Sequence, residues 1–203
     1  MTAWMSIGST YTYLTAMRMR ERLGAARLRE SEVNVVPFSV RAVMVAQKNV
    51  PFVGKDAKMK YMWRDIERRA ARYGVPVPRA VPVPGYPLAA FDEANLVGVA
   101  ANEHGVYWGY LEHAYNLWFL HGKPPGDAAS IRAALSAIDG VDVDAVIEAS
   151  RSEEILQKYE FNTAAALSLG VFGAPSFTVG DELFWGDDRL DDAIDEATWH
   201  SRE

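Results

Sequence analysis

The chain is 203 residues long, 49% hydrophobic and 24% charged, enough for one globular domain or for one domain carrying an insertion. It contains no cysteine, which excludes a disulfide framework, a thiolate metal site and a Cys-x-x-Cys redox pair; any thiol chemistry would need a borrowed sulfur. The net charge is −6, yet residues 1–85 hold 15 of the 21 Lys and Arg and 6 of the 27 Asp and Glu, so one part sums to +9 and residues 86–203 to −15.

Trp4 to Ile7 is a short apolar run that predicts a first strand, broken by Gly8-Ser9-Thr10. Tyr11 to Leu23 reads as a helix, with Ser9 or Thr10 as its N-cap. Val33 to Phe38 predicts a second strand, parallel to the first through the helical crossover. Beyond Val40 the chain reads as helical. Met59, Met62, Trp63, Ile66, Ala70 and Tyr73 make an amphipathic stripe stopped by Gly74. Residues 75–88 carry Pro76, Pro78, Pro82, Pro84 and Pro87 and read as a stiff extended connector. Helices are predicted over 88–102, along the stripe from Tyr107 to Trp118, over 127–137, over 142–149 and over 152–169.

The closing stretch has a different pattern. Gly170 suits a helix C-cap, and Pro175 lacks an N–H and belongs at the start of a strand or on an edge. Ser176 to Val179 and Glu182 to Trp185 are two short strands joined at Gly180-Asp181, where Gly supplies the positive φ that a tight hairpin requires. Asp187-Asp188 falls where the last helix begins, and acidic residues suit that end of a helix dipole.

Gly-x-Phe-Gly-x-Pro-Ser-Phe over 170–177, then Trp-Gly-Asp-Asp-Arg-Leu over 185–190, resembles the C-terminal block of the 2-hydroxychromene-2-carboxylate isomerase and kappa-class glutathione transferase family. Ser9-Thr10-Tyr11-Thr12-Tyr13-Leu14 resembles that family's N-terminal Ser-Pro-Tyr-Ser-Tyr-Leu motif, with Thr10 in place of the proline. The first strand also lacks the Asp that relatives carry there. The resemblance implies a DsbA-like thioredoxin fold: an α/β domain formed by residues 1–39 and 160–203, interrupted by a large inserted α-helical domain over 40–159.

The same resemblance implies glutathione, or another low-molecular-weight thiol, as cofactor. It also implies a small aromatic substrate and a homodimer. Under it, Ser9 donates a hydrogen bond to the thiol sulfur, and the helix start favours the anion. Read alone, Ser9 is an N-cap. Ala174-Pro175 becomes a cis peptide facing the thiol, where the residues alone say only that a proline starts a strand. Asp187 and Asp188 would hold the γ-glutamyl end, although Asp187 reads equally as a helix cap. Asn49 and Lys58 would meet the other end of glutathione, with Lys60 as a near rival for the glycyl carboxylate.

Two enzymes share this chemistry: an isomerase acting on an aromatic 2-oxo or hemiketal acid through reversible thiolate addition, and a transferase that retains the conjugate. A non-catalytic thioredoxin-like protein that binds thiols or peptides at the proline face is the contrasting reading. The overall negative charge and the absence of a recognition motif argue against nucleic acid. The uneven charge reads as solvated helix faces or, more sharply, as a positive lobe for small anions. The histidines His104, His113, His121 and His200 show no metal-ligand spacing. No apolar run reaches membrane-span length and no secretory leader is visible, so the expectation is a cytoplasmic protein without membrane contact. Trp63, Trp108, Trp118, Tyr61, Tyr107 and Tyr110 read first as core, with some of them lining an aromatic pocket.

Overall fold

Alternation along the first strand divides the apolar interior in two. β1 (Thr2–Met5) sends Ala3 and Met5 to one face and Trp4 to the other, and all three are buried. Ala3 and Met5 join the large core, which runs through α1 (Thr12–Ala25) and the helices beyond it. Trp4 joins a smaller cluster with Phe38, Val40, Val43, Ala166 and Val171. A strand buried on both faces sits at the centre of a sheet covered on both sides by helices. The computed structural model describes residues 1–49, 54–78 and 90–200, with Ala90 and His200 described by backbone alone.

β1 pairs in parallel with β2 (Asn34–Pro37) and antiparallel with β3 (Ser176–Val179), which pairs antiparallel with β4 (Glu182–Trp185). The sheet order is β2-β1-β3-β4. This is a DsbA-type thioredoxin fold, with the two halves of the sheet drawn from opposite ends of the chain. Between them run α2 (Val40–Ala46), α3 (Asp56–Tyr73), α4 (Ala90–Glu103), α5 (Tyr107–His121), α6 (Ala128–Ser136), α7 (Val143–Ala149) and α8 (Glu153–Ser168), and α9 (Leu190–His200) closes the chain. Residues 88 and 89 of the predicted helix, and Pro82, Pro84 and Pro87 of the connector, lie outside the described residues.

The stripe read from sequence is the buried side of α3: Met62, Ile66 and Ala70 are enclosed, and Gly74 ends the helix at φ 71°. Gly180 turns the hairpin at φ 55°. The first strand sits two residues earlier than expected, because the main chain of Ile7 is claimed from outside the sheet. Asn95 of α4 accepts from the Ile7 N–H at 2.7 Å and donates to the Ile7 carbonyl at 2.9 Å. The outer edge of β2 is closed in a similar way. Asn102 donates to the Val35 carbonyl at 3.1 Å and Asn162 to the Pro37 carbonyl at 2.9 Å, while Pro37 has no N–H to offer.

The charge asymmetry resolves into pairing between the two parts of the chain. Arg18 and Arg22 of α1 meet Asp191 at 2.9 and 2.6 Å, Arg20 meets Glu112 at 3.2 Å, and Arg69 of α3 meets Asp187 at 2.9 Å. Neither of the two sequence readings anticipated this. Arg41 likewise meets Asp92 at 3.5 Å, while most of the other described basic residues, Arg64 with its neighbour Glu67 among them, lie on exposed faces, as the first of the two readings expected.

Candidate active site

Ser9 was expected at a helix start, as its cap. The helix instead begins after a turn closed by main-chain bonds: Thr12 N–H donates to the Ser9 carbonyl and Tyr13 N–H to the Thr10 carbonyl, both at 3.3 Å. Tyr11 is the N-cap residue, and it makes no side-chain cap. The Thr10 hydroxyl turns inward to the Met62 sulfur at 2.9 Å. Relieved of capping, the Ser9 hydroxyl reaches across to the C-terminal block and donates to the Ala174 carbonyl at 2.5 Å. The N-cap reading of Ser9 is therefore corrected.

The loop carrying Ser9 is held from behind by α4 and α5. Asn95, 2% exposed, makes its two bonds to Ile7 and a third to the Phe91 carbonyl at 2.8 Å. The Tyr115 hydroxyl is shared between the Ser9 carbonyl at 2.6 Å and the Ser6 carbonyl at 3.3 Å. Gly8 adopts φ 125°, and a Cβ there would lie 3.1 Å from the ring of Phe91. Sequence reasoning missed Asn95 and Tyr115. No local pattern marks them, since their targets lie 88 and 106 positions away in the chain.

The Ala174–Pro175 bond is cis. Pro175 is buried, and its carbonyl accepts from Gly186 N–H at 2.9 Å, tying the loop to the end of β4. Ser9, Thr10 and Tyr11 of the N-terminal motif and Phe172, Gly173, Ala174 and Trp185 of the C-terminal block line one cleft of about 240 Å³. Val40, Met44, Asn49, Lys58 and Met62 complete it. Of the residues predicted from sequence, Ser9, Asn49, Lys58 and Ala174 thus share one cleft. Asn49 is placed by its own N–H, which donates to the Met44 carbonyl at 2.8 Å. Lys60, the rival of Lys58, is not on the cleft wall.

Asp187 and Asp188 are not on that wall either. Asp187 is 1% exposed, so its carboxyl is neither a free ligand contact nor a helix cap. Arg69 Nη2 stands 2.9 Å from Asp187 Oδ2 as an ion pair. Neither Asp187 oxygen receives a well-aligned hydrogen bond from the described residues. Burial pushes the carboxyl up to about 7, with Arg69 opposing and Asp188 reinforcing the rise. Asp188 is half-exposed, 3.8 Å from Arg69 and 3.6 Å from Arg189. A Cβ on Gly186 would lie 2.6 Å from Asp188 Oδ1, so a side chain there would crowd the carboxylate. Arg189 braces this turn through Asp192 at 2.7 Å.

The aromatic lining differs from the expectation. Trp108, Trp118, Tyr107 and Tyr110 are core, and the cleft takes its rings from Tyr11, Phe172 and Trp185. Phe172 and Trp185 are 40% and 53% exposed with ring centroids 4.9 Å apart. Trp185 brings its indole Nε1 against Gly173, where any Cβ would overlap it. The Tyr11 hydroxyl donates to Asp65 at 3.1 Å, and burial together with that carboxylate raises its pKa. The cleft thus offers the Ser9 hydroxyl and the Ala174 main chain in contact with each other. Its lining adds a cation, Lys58, and the aromatic surfaces of Tyr11, Phe172 and Trp185.

A thioredoxin-type sheet with a cis proline loop facing a helix start defines the class, and comparison with known proteins agrees. The chain belongs to the DsbA-like thioredoxin family, whose model matches residues 1–196, and within it to the 2-hydroxychromene-2-carboxylate isomerases. It is 28% identical over 186 residues to such an isomerase from Sphingobium xenophagum, covering 90% of each chain. It is 31% identical over 151 residues to one from Pseudomonas putida, covering 73% of this chain and 70% of that one. A solved 2-hydroxychromene-2-carboxylate isomerase superposes with a TM-score of 0.79 at 24% identity, covering 99% of this chain and 95% of that one. The cytosolic disulfide reductase DsbM from Pseudomonas aeruginosa, solved with GSH, shares the fold at a TM-score of 0.60 and 14% identity, covering 99% and 96%. The chain is an enzyme of the isomerase class. Among the described residues no helix is long and apolar enough to cross a membrane.

Proposed function

We propose that the protein is a glutathione-dependent isomerase acting on an aromatic 2-oxo or hemiketal acid of the 2-hydroxychromene-2-carboxylate type. The observation that carries this reading is the Ser9–Ala174 contact in the lining of a cleft, in a chain that has no cysteine. A site of this kind suits a thiol brought from outside. Ser9 offers a hydroxyl hydrogen, and Ala174 offers main-chain polar groups to an extended peptide-like ligand. Lys58 offers a positive charge to a carboxylate, and Asp188 offers a carboxylate to an ammonium.

The chemistry a bound thiolate supplies is reversible addition to a conjugated carbon, which frees a double bond to rotate. Ser9 stabilises the sulfur anion by turning its hydroxyl from the Ala174 carbonyl to the ligand. It does not act as a nucleophile, since no histidine is among the described residues that line the cleft. Phe172, Trp185 and Met44 hold the flat aromatic part of the substrate against the thiol end and keep water from it. Asn95 and Tyr115 hold the Ser9 loop in place, so only the hydroxyl hydrogen has to turn when the thiol binds. A reduced small thiol as cofactor is in keeping with a cytoplasmic setting, where thiols are kept reduced.

Titration calorimetry with glutathione, together with an assay of 2-hydroxychromene-2-carboxylate isomerisation with and without it, tests the reading. Binding should weaken in Ser9→Ala and Asp188→Ala, and turnover should need the thiol. If no low-molecular-weight thiol binds, the thiol-dependent reading fails and the cleft is a peptide-binding face.

A further inference from the structure

We propose that Asp187 is a positioning residue: by holding or releasing Arg69, it decides how strongly Asp188 attracts the ammonium of a bound γ-glutamyl thiol. The inference rests on the thiol reading above and adds to it a regulation of the same site.

One guanidinium faces three carboxylates here. Arg69 is 2.9 Å from Asp187, 3.8 Å from Asp188 and 3.9 Å from Asp65. The remaining charged and titratable neighbours are already engaged. Arg69 donates to the Tyr73 hydroxyl at 3.0 Å, and the Tyr11 hydroxyl donates to Asp65. Arg18 of α1 touches the Asp187 main-chain carbonyl at 3.4 Å, but its charge is paired with Asp191 and stacked 3.8 Å over the Tyr73 ring. Arg22 also turns to Asp191, and Arg189 divides itself between Asp188 and Asp192. Asp187 is thus the enclosed, poorly hydrogen-bonded acid that competes with half-exposed Asp188 for one cation.

When Asp187 is ionised it claims Arg69, and Asp188 keeps its negative charge for a ligand. When Asp187 takes up a proton, Arg69 is left to Asp65 and Asp188, and the charge offered to an ammonium is screened. The desolvated carboxyl titrates near 7, so both states are populated around neutral pH. The site should hold an ammonium-bearing ligand more tightly as pH rises through that value, by on the order of fivefold for one partly screened charge.

The probe is S-methylglutathione. Its sulfur has no proton to lose, and its ammonium and carboxylates keep their charges between pH 6 and 8. Calorimetry on the wild-type enzyme should give a dissociation constant about fivefold lower at pH 8 than at pH 6. The slope should vanish in Asp187→Asn, and in the wild type when the ligand is N-acetylated. A flat wild-type profile with firm binding overturns this inference alone. A slope that survives Asp187→Asn also overturns it. No binding at either pH overturns both this inference and the thiol reading. Should Asp187→Asn fail to fold, equal slopes for the free and N-acetylated ligands on the wild type overturn it.

Discussion

The Ser9 hydroxyl and the Ala174 carbonyl lie 2.5 Å apart although 165 positions separate them, and this contact joins the two ends of the chain in the lining of the cleft. The hydroxyl has one hydrogen, so it serves the carbonyl or a bound sulfur, but not both at once.

Ser9→Ala removes that hydrogen. Because Ser9 caps nothing, helix α1 should be unaffected, and the melting temperature should fall only by the few degrees that the lost bond to Ala174 is worth. Turnover should fall by roughly 10²–10³, the usual effect of deleting one preorganised donor to a developing anion. Steady-state kinetics at saturating thiol check this. A fall of less than threefold removes Ser9 from the chemistry.

Gly173→Ala places a Cβ where the Trp185 indole now lies. The ring must swing outward and leave Phe172, opening the aromatic mouth. The expected cost is about 1–3 kcal/mol in stability. The KM for the aromatic substrate should rise several-fold, while glutathione affinity changes little. Equal losses for both ligands would show that Trp185 serves the thiol as much as the substrate.

Asn95→Ala leaves the Ile7 N–H and carbonyl buried without their partner. Urea denaturation should show a loss of about 2–4 kcal/mol. Under conditions where the variant is folded, kcat should still drop, because the Ser9 loop is no longer held at its distance. A folded variant with wild-type kcat would place Asn95 outside the catalytic geometry.

Asp187 gives a signature in stability as well as in binding. Its carboxyl rises from the ordinary value of 3.8 to about 7 on folding. The native state therefore binds a proton that the unfolded chain does not. The associated stability is fully present below pH 3.8 and is lost as pH rises through 7. Relative to Asp187→Asn, the wild type should lose roughly 3–4 kcal/mol between pH 4 and pH 8. Denaturation of both proteins at several pH values measures the difference, and a constant offset contradicts a raised pKa.

Asn162→Ala strips the Pro37 carbonyl on the sheet edge of its donor. A buried unpaired carbonyl costs about 1–3 kcal/mol. Urea denaturation should read that loss as a lower midpoint, and an unchanged midpoint would show that the carbonyl does not depend on Asn162.

Much of this protein was legible along the chain because the signals are local. The Met62–Ile66–Ala70 stripe, the stop at Gly74 and the Gly180 turn depend on residues within a few positions of one another, and each reappears in the fold. The motifs around Ser9 and Ala174-Pro175 likewise carried the family and the two sides of one cleft. What only the tertiary structure decided rests on partners far apart in sequence. Asn95 and Tyr115 hold Ser9 from α4 and α5, and Asn102 and Asn162 close the β2 edge. Trp185 lies on Gly173, and Asp187 withdraws from the cleft to meet Arg69. Periodicity and turn chemistry specify which face a residue shows within its own element. The partner across that face depends on how elements pack, and an isolated Asp or Asn carries no mark of whether it will meet water, ligand or a buried arginine.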